Sequence, residues 1–229
     1  MTIEETAKKN QPRVIFLDAV GTLFGVKGNV GEIYREIALK FGVDTPAKLL
    51  NQSFFHSFKA ASTPAFPGVD PDQLPDKEIA WWREVVTNTF KQAGAWQHFA
   101  DFNDFFIDLY THFMTAAPWE VYADVRPALE RWNRMGIALG VLSNFDSRLY
   151  PVLAALGLND YFASVTISTE VGAAKPDPKI FAIALEKHNC PPEWAWHVGD
   201  SFEEDAQAAR VAGLHGIWLR RDQSLGQKA

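Results

Sequence analysis

The stretch Val14-Ile15-Phe16-Leu17-Asp18-Ala19-Val20-Gly21-Thr22 decides the fold of this chain. Its first four residues form a continuous apolar run, which is typical of a parallel strand buried on both faces. The run stops at Asp18, and Gly21 with Thr22 marks a turn directly after it. We therefore predict a buried strand that presents a carboxylate at its carboxyl end, where open parallel sheets bind their ligands.

A second region begins after Phe24. Apolar residues such as Ile33, Ile37 and Phe41 recur at helical spacing, and further helices are predicted near 46–60, 77–94 and 98–115. A proline-rich stretch at 64–75 predicts one long loop, because proline interrupts helices. Most of the 17 Phe residues lie in this region, and no strand is expected in it. We predict an inserted all-helical cap domain at residues 26–118.

The rest of the chain alternates between helix and strand patterns. Helices are predicted at 127–135, 148–156, 178–188 and 203–212, and strands at 137–142, 165–168, 196–198 and 216–219. Such alternation is typical of a parallel sheet covered by helices. The predicted fold class is therefore α/β, with a discontinuous Rossmann-like parallel-sheet core formed by residues 1–25 and 119–229.

The composition excludes several classes of function. The 229 residues carry 22 Lys and Arg against 28 Asp and Glu, for a net charge of −6, and this acidic balance argues against a nucleic-acid partner. No apolar run is long enough to span a membrane, so no membrane partner is expected. The polar start of the chain, with Lys8, Lys9 and Asn10, predicts a disordered tail without a signal peptide. Cys190 is the only cysteine, which fits a reducing, cytoplasmic location. The sequence makes no prediction of the oligomeric state.

Polar residues follow four of the predicted strands. They are Asp18, the pair Ser143-Asn144, Lys175 in a loop after the third strand, and Gly199-Asp200-Ser201 with Asp205 behind it. The carboxyl ends of parallel strands share one edge of the sheet, so these side chains are expected to converge. Each motif alone is also ordinary turn or helix-cap chemistry, because Asp and Ser are common N-cap residues. Asp146 is expected to cap the next helix, and His197 to be an ordinary strand residue.

Taken together and in this order, the four motifs resemble those of the haloacid-dehalogenase-like hydrolase superfamily. That superfamily combines Asp-x-x-x-Thr, a Ser or Thr, a Lys and an acidic Gly-Asp pattern, and the resemblance spans residues 14–219. Three stretches further resemble a single branch of it: Trp81-Trp82 through Gly94, Ser143-Asn144-Phe145-Asp146 and Lys175-Pro176-Asp177-Pro178.

The resemblance implies phosphoryl transfer from a small phosphorylated metabolite, and the residue types suit that chemistry. A carboxylate such as Asp18 can attack phosphorus and form an aspartyl-phosphate, which divides one difficult step into two. Lys175 would hold the phosphate and balance the carboxylates. Ser143 and the backbone near Asn144 would donate hydrogen bonds to phosphate oxygens. Thr22, the Thr of the first motif, belongs to the same substrate-binding set.

A divalent cation is also expected, because a phosphate dianion would repel the Asp18 carboxylate. Mg²⁺ prefers oxygen ligands, which Asp18, Asp200 and a backbone carbonyl would provide. The resemblance assigns that carbonyl to Val20. Asp205 completes the predicted metal site from outside the direct ligands, where it would orient metal-bound water or Lys175.

The sequence departs from the phosphatase pattern at Val20, where most phosphatases of the superfamily have a second Asp that acts as general acid and base. Such catalysis contributes about 10²- to 10⁴-fold to the rate. We therefore expect weak activity on alkyl phosphates. Activity on acyl and aryl phosphates should be reduced less, because their leaving groups need less protonation.

Two alternatives follow from the same departure. L-2-haloacid dehalogenases also lack the second Asp and displace halide without a metal, but they typically carry an aromatic residue at the Val20 position and an Arg early in the cap. Arg35 lies too early for that role, and the Asp200 carboxylate beside Asp18 favours a cation. The other alternative is a non-catalytic or regulatory protein that binds a phosphate ligand.

Overall fold

The computed structural model describes residues 11–221. Their elements, in chain order, are β1 (Val14–Leu17), β2 (Phe24–Val26), α1 (Val30–Lys40), α2 (Ala47–Ala60), α3 (Leu74–Gln92), α4 (Phe102–His112), β3 (Trp119–Val121), α5 (Val125–Arg134), β4 (Ala138–Ser143), α6 (Leu149–Ala155), β5 (Ser164–Ile167), α7 (Ser168–Val171), α8 (Pro178–Lys187), β6 (Ala195–Gly199), a π-helical segment (Phe202–Gln207) that continues as α9 (Ala208–Val211), and β7 (His215–Trp218). Single 3₁₀ turns occur at Pro71–Gln73, Trp96–His98, Asn159–Tyr161 and Pro192–Trp194.

Five parallel strands form the central sheet in the order β5-β4-β1-β6-β7. Strand β1 lies in the middle, with Leu17 opposite Val141 of β4 and Val198 of β6. Its side chains alternate between the faces, as a strand requires. Ile15 and Leu17 pack with α5 and α6, whereas Val14 and Phe16 pack with α8 and α9. This confirms the predicted α/β class and explains why β1 is apolar without interruption.

Helices α1 to α4 pack around a separate apolar core that is rich in aromatic residues, among them Phe54, Phe90, Phe105 and Phe106. The predicted helices near 46–60, 77–94 and 98–115 correspond to α2, α3 and α4. Asn29 is the N-cap of helix α1, and its side chain and that of Glu32 each accept from the backbone N–H of the other residue, which forms a capping box. The helical region is therefore present, while its exact limits as a cap domain, residues 26–118, stay a prediction.

A two-stranded antiparallel sheet at the predicted junction was not expected from the sequence. Strand β2 pairs with β3, so that Phe24 lies opposite Val121 and Val26 opposite Trp119. Each strand has only three residues, too few to show a period of two, and the pairing joins distant parts of the chain. Residues 24–26 and 119–121 thus connect the sheet and the helical region through paired strands.

A second difference concerns the predicted helix at 203–212. It begins as a π-helical segment over Phe202–Gln207 and becomes α-helical only at Ala208. The wider turn carries Asp205, which is buried at the edge of the sheet. The tail predicted to be disordered lies almost entirely in residues 1–10, outside the described residues. Among residues 11–221, no helix combines the length and apolarity needed to cross a bilayer.

Candidate active site

The predicted site residues meet at the carboxyl edge of the sheet. Asp18 follows β1, Asp200 follows β6, and Asp205 reaches them from the π-helical segment. Oxygen atoms of these three carboxylates all lie within 4.8 Å of one another. Lys175 enters from the loop after α7 and donates from Nζ to Asp18 Oδ1 at 2.7 Å. The structure therefore brings one ammonium group into a cluster of three carboxylates.

Lys175 is almost fully buried, with 4% of its surface exposed. Burial alone would lower its pKa, but the charges of Asp18 and Asp205 outweigh burial and raise the pKa above its ordinary value. The side chain is therefore a permanent cation at neutral pH. It also donates a short hydrogen bond to Asp205, so the two carboxylates hold Nζ between them.

Asp205 uses both of its oxygen atoms within the protein. Oδ1 accepts from Lys175 and pairs with Nε2 of His197 at 2.9 Å, while Oδ2 accepts from the backbone N–H of Ser201 at 2.9 Å. Burial would raise the pKa of Asp205, but the hydrogen bonds from His197 and Lys175 and the positive charge of Lys175 hold it well below its usual range. A side chain at Gly199 would collide with this carboxylate. Asp205 thus lies beside Lys175 with both of its oxygens bound by protein groups, while its role at a metal site stays a prediction.

His197 lies in β6, as predicted, but its contact with Asp205 was not predicted. The ring is fully buried, and burial with the nearby Lys175 ammonium lowers its pKa despite the Asp205 hydrogen bond. A neutral ring donates from Nε2 to the carboxylate, which leaves Nδ1 as an acceptor. Within residues 11–221, that buried Nδ1 has no hydrogen-bond partner. The Gly-Asp motif two residues later was the only local signal for this contact.

Asp200 retains contact with solvent at the edge of the cluster. Partial desolvation of its carboxylate and the negative charges of Asp18 and Asp205 raise its pKa to about 6. The group therefore titrates within reach of neutral pH, and in the metal-free protein its ionised form is disfavoured. A cation placed among these carboxylates would stabilise the ionised form and lower the pKa of Asp200 again.

The loop after Asp18 lies against Asp200. Gly21 has a φ of +88°, which favours glycine, and a Cβ there would collide with the Asp200 carboxylate. The side chain of Val20 is 37% exposed at this edge. Thr22 is buried, and among residues 11–221 its hydroxyl has no hydrogen-bond partner. These features place the whole first motif beside the carboxylate cluster.

Ser143 is buried at the end of β4, and Asn144 follows it. The Asn144 side chain makes a two-point contact with the backbone of Lys175: Oδ1 accepts from its N–H at 2.7 Å, and Nδ2 donates to its carbonyl at 2.9 Å. The amide also reaches Glu204 at 3.3 Å. The Asn144 side chain therefore orients the lysine loop, a contact that was not predicted from the sequence.

The loop beyond Asn144 is bound to helix α3. Trp82 donates from Nε1 to Asp146 Oδ2 at 2.5 Å, and Asp146 forms a buried ion pair with Arg148 at 2.7 Å. The Arg148 guanidinium lies 4.6 Å from the Trp82 ring centroid and 4.2 Å from that of Tyr110. Asp146 also accepts from the backbone N–H of Arg148, but Arg148 is the N-cap of α6 and, in the described part of the chain, no side chain caps that helix, so the predicted capping role of Asp146 is wrong. Its contacts with Arg148 and with α3 were not predicted from the sequence.

Glu78 makes a second contact between α3 and the same part of the molecule. Its carboxylate accepts from the backbone N–H of Ser147 at 3.0 Å, from the Ser147 hydroxyl, and from Thr169 Oγ1 at 2.5 Å. Burial raises the pKa of Glu78, and these hydrogen bonds only partly oppose the shift. Three donors, two on Ser147 in the loop after Ser143 and one on Thr169 in α7, thus bind the Glu78 carboxylate of the helical region.

The sequence profile described as haloacid dehalogenase-like hydrolase matches residues 12–213. Together with the sheet order and the four converging motifs, this shows that the chain belongs to the haloacid dehalogenase-like hydrolase family. The branch expected from the Trp81-Trp82 and Ser143–Asp146 stretches is confirmed as well. Mouse haloacid dehalogenase-like hydrolase domain-containing protein 3 is 33% identical over 225 residues, which cover 96% of this chain and 86% of the mouse protein.

Solved structures of two different chemistries share the fold. A haloacid dehalogenase-like phosphatase from Thermococcus onnurineus has a TM-score of 0.63 and 22% identity, covering 92% of this chain and 87% of its own. L-2-haloacid dehalogenase from Xanthobacter autotrophicus has a TM-score of 0.67 and 20% identity, covering 93% and 80%. The fold therefore does not separate phosphatase from dehalogenase, and the site residues have to do so.

Proposed function

We propose that this protein is a Mg²⁺-dependent phosphohydrolase that acts on a small phosphorylated metabolite through an aspartyl-phosphate on Asp18. The observation that carries the proposal is the cluster of Asp18, Asp200 and Asp205, whose carboxylate oxygens lie within 4.8 Å of one another. Lys175 offsets only one of these charges when all three are ionised. A phosphate dianion can approach such a cluster only if a cation joins it.

The donor set fits Mg²⁺, which prefers hard oxygen ligands and keeps several waters. Asp18 and Asp200 would hold the ion, with the Val20 carbonyl as a third protein ligand. Asp205 would orient Lys175 or metal-bound water without binding the ion directly, because Lys175, His197 and Ser201 already contact its two oxygens. When bound, Mg²⁺ would supply the positive charge that reduces repulsion between the Asp18 carboxylate and the phosphate.

In the proposed reaction, a carboxylate oxygen of Asp18 attacks phosphorus while the bond to the leaving-group oxygen breaks. Lys175 would hold a phosphate oxygen, and Ser143 with the backbone N–H near Asn144 would donate hydrogen bonds to the others. Thr22 stays in this binding set, because its buried hydroxyl has no partner among residues 11–221. Water then attacks phosphorus, the bond between phosphorus and the Asp18 oxygen breaks, and the products are the Asp18 carboxylate and dihydrogen phosphate, which keeps both protons of the water.

Val20 sets the leaving-group preference in this proposal. Its side chain cannot donate a proton to the leaving oxygen or accept one from the attacking water. Leaving groups that depart as stable anions, such as phenolates and carboxylates, need little protonation. The proposed activity is therefore weak on alkyl phosphates and stronger on aryl and acyl phosphates.

Val20 also supports a second candidate function, that of a non-catalytic or regulatory protein that binds a phosphate ligand. A site that retains Asp18, Lys175 and Asp200 but lacks the general acid could bind phosphate without turnover. A dehalogenase is less favoured, because Asp200 adds a carboxylate that a metal-free site would leave uncompensated.

Residues 26–118 are proposed as the cap that closes over this site, and residues 1–25 with 119–229 as the core. The separate apolar core of α1 to α4 supports this division, as do the contacts of Glu78 and Trp82 with the loop after Ser143. We also propose a cytoplasmic location, supported by the single cysteine of the chain.

The test is a turnover screen with aryl, acyl and alkyl phosphates in the presence of Mg²⁺, with Asp18→Asn as the control. The proposal expects phosphate release that requires Mg²⁺ and disappears in Asp18→Asn. Binding of Mg²⁺ and phosphate without any turnover would favour the non-catalytic alternative. Halide release from 2-chloropropionate that persists in EDTA would identify a dehalogenase instead.

A further inference from the structure

Arg221 connects the end of the sheet to the loop that carries the proposed nucleophile. It follows β7 and reaches back across the chain, where Nε donates to the Gly21 carbonyl at 3.1 Å and Nη2 to the Thr22 carbonyl at 2.6 Å. Its remaining nitrogen, Nη1, pairs with Asp124 at 2.9 Å. One guanidinium group thus binds two successive carbonyls of the first motif.

The guanidinium is itself held in place. Its carbon lies 3.8 Å from the ring centroid of Tyr122, directly after β3, and only 23% of the side chain is exposed. A planar group that is stacked and anchored at Asp124 donates in fixed directions, which an ammonium group on a flexible stem would not do. The two carbonyls are therefore held by a rigid donor.

These carbonyls belong to the part of the loop that orients Val20. The Val20 carbonyl, a proposed Mg²⁺ ligand, shares a planar peptide unit with the Gly21 nitrogen, whose N–H donates to the Phe24 carbonyl at 2.9 Å. The next two carbonyls bind Arg221. On its other side, Gly21 packs against the Asp200 carboxylate. The loop is thus fixed between an acidic residue of the site and a basic residue outside it.

We propose that Arg221 is a positioning residue, which holds the loop after Asp18 in the conformation that presents the Val20 carbonyl to the divalent cation. This inference rests on the proposed function, because it assumes that Mg²⁺ binds beside Asp18 and Asp200. Arg221 acts through the loop backbone. Its loss should therefore weaken cation binding by loosening a ligand, as loss of outer hydrogen-bond partners does at other metal sites.

The experiment measures Mg²⁺ affinity by titration calorimetry for the full-length wild type, Arg221→Ala, Arg221→Lys and Arg220→Ala. Arg220 is a matched control, since it removes the same charge one residue away and stacks on Trp218 at 5.1 Å rather than on the loop. We expect the Mg²⁺ affinity of Arg221→Ala to fall about tenfold or more. The Mg²⁺ affinity of Arg221→Lys should fall less, and that of Arg220→Ala should match the wild type.

Thermal unfolding of the same four proteins without Mg²⁺ separates positioning from folding. A lower melting temperature with unchanged Mg²⁺ affinity in Arg221→Ala would overturn the inference and leave a merely structural role. Equal losses of Mg²⁺ affinity in Arg220→Ala and Arg221→Ala would overturn it as well, because the effect would then not depend on the contacts of Arg221 with the loop. If Arg221→Ala does not fold, the affinity of Arg221→Lys decides. A wild type that binds no Mg²⁺ would instead refute the proposed function itself.

Discussion

Lys175 Nζ lies 2.7 Å from Asp18 Oδ1, although the two residues are 157 positions apart in the sequence. Both side chains are buried, and Asp205 contacts the same Nζ from its other side. The lysine is therefore a structural counter-ion for two carboxylates as well as a proposed phosphate ligand. Replacing Lys175 and replacing Asp18 should therefore change stability and activity in different proportions.

Replacing Lys175 with Met should destabilise the fold by about 3–5 kcal/mol, because it leaves buried carboxylates without their cation. Turnover should be lost as well. Asp18→Asn should abolish turnover with a much smaller loss of stability, since it removes one of three clustered acidic groups. Urea unfolding and phosphate release measure the two effects, and a Lys175→Met protein as stable as Asp18→Asn would contradict the counter-ion role.

Introducing the absent acid, Val20→Asp, should raise turnover of alkyl phosphates by up to about 10²- to 10⁴-fold and change aryl phosphates less. Val20→Asn is the matched control, because it has nearly the same shape as the Asp variant and cannot donate a carboxylic proton. The ratio of alkyl to aryl turnover is the measurement. A similar gain in both variants would point to polarity or size rather than to proton transfer.

Metal-free stability should depend on pH through Asp200. Its folded pKa, about 6, lies above the ordinary value of 3.8, so the native state binds more protons than the unfolded state between these values. The free energy of unfolding should therefore fall as pH rises from about 4 to about 6. Melting curves in EDTA should show this slope, and Asp200→Asn should reduce it.

Magnesium should oppose this fall in the free energy of unfolding, because the cation stabilises the ionised Asp200 carboxylate. Mg²⁺ affinity should rise between pH 5 and 7, with proton release near pH 6. Calorimetry in buffers of different ionisation enthalpy measures the released protons. Mg²⁺ binding that is independent of pH across this range would argue against Asp200 as a ligand.

Trp82→Phe should destabilise the protein by about 1.5–3 kcal/mol, because it removes a hydrogen bond to the buried Asp146 carboxylate and keeps an aromatic ring beside Arg148. Trp81→Phe is the matched comparison. Trp81 donates to the neutral Ser62 carbonyl at 2.8 Å, so its replacement should cost less, about 0.5–1.5 kcal/mol. Urea unfolding of the two variants should preserve this order, and the reverse order would contradict the importance of the Asp146 contact.

Much of the fold and the composition of the site could be predicted from the sequence. The apolar run at Val14–Leu17 identified the central strand, and the periodic patterns identified most helices and the four other parallel strands. Asp18, Ser143, Lys175 and Asp200 could be assigned to one edge because parallel strands end together. The elements and the placement of these residues could be predicted because hydrophobic period and the positions of strand ends can be read along the chain. The roles of the residues stay predictions.

The contacts that complete the site were decided by tertiary structure alone. The β2–β3 pairing, the Asn144 contact with the Lys175 backbone, the Trp82–Asp146 bond and the Arg221 contact with the first motif all join distant residues. A single polar residue has no period, so the sequence does not indicate which distant backbone group it will bind. By itself the sequence determined which charges meet at the edge of the sheet. Only the packing of the elements decided which groups hold those charges in place, because buried polar atoms must find partners wherever the fold brings them.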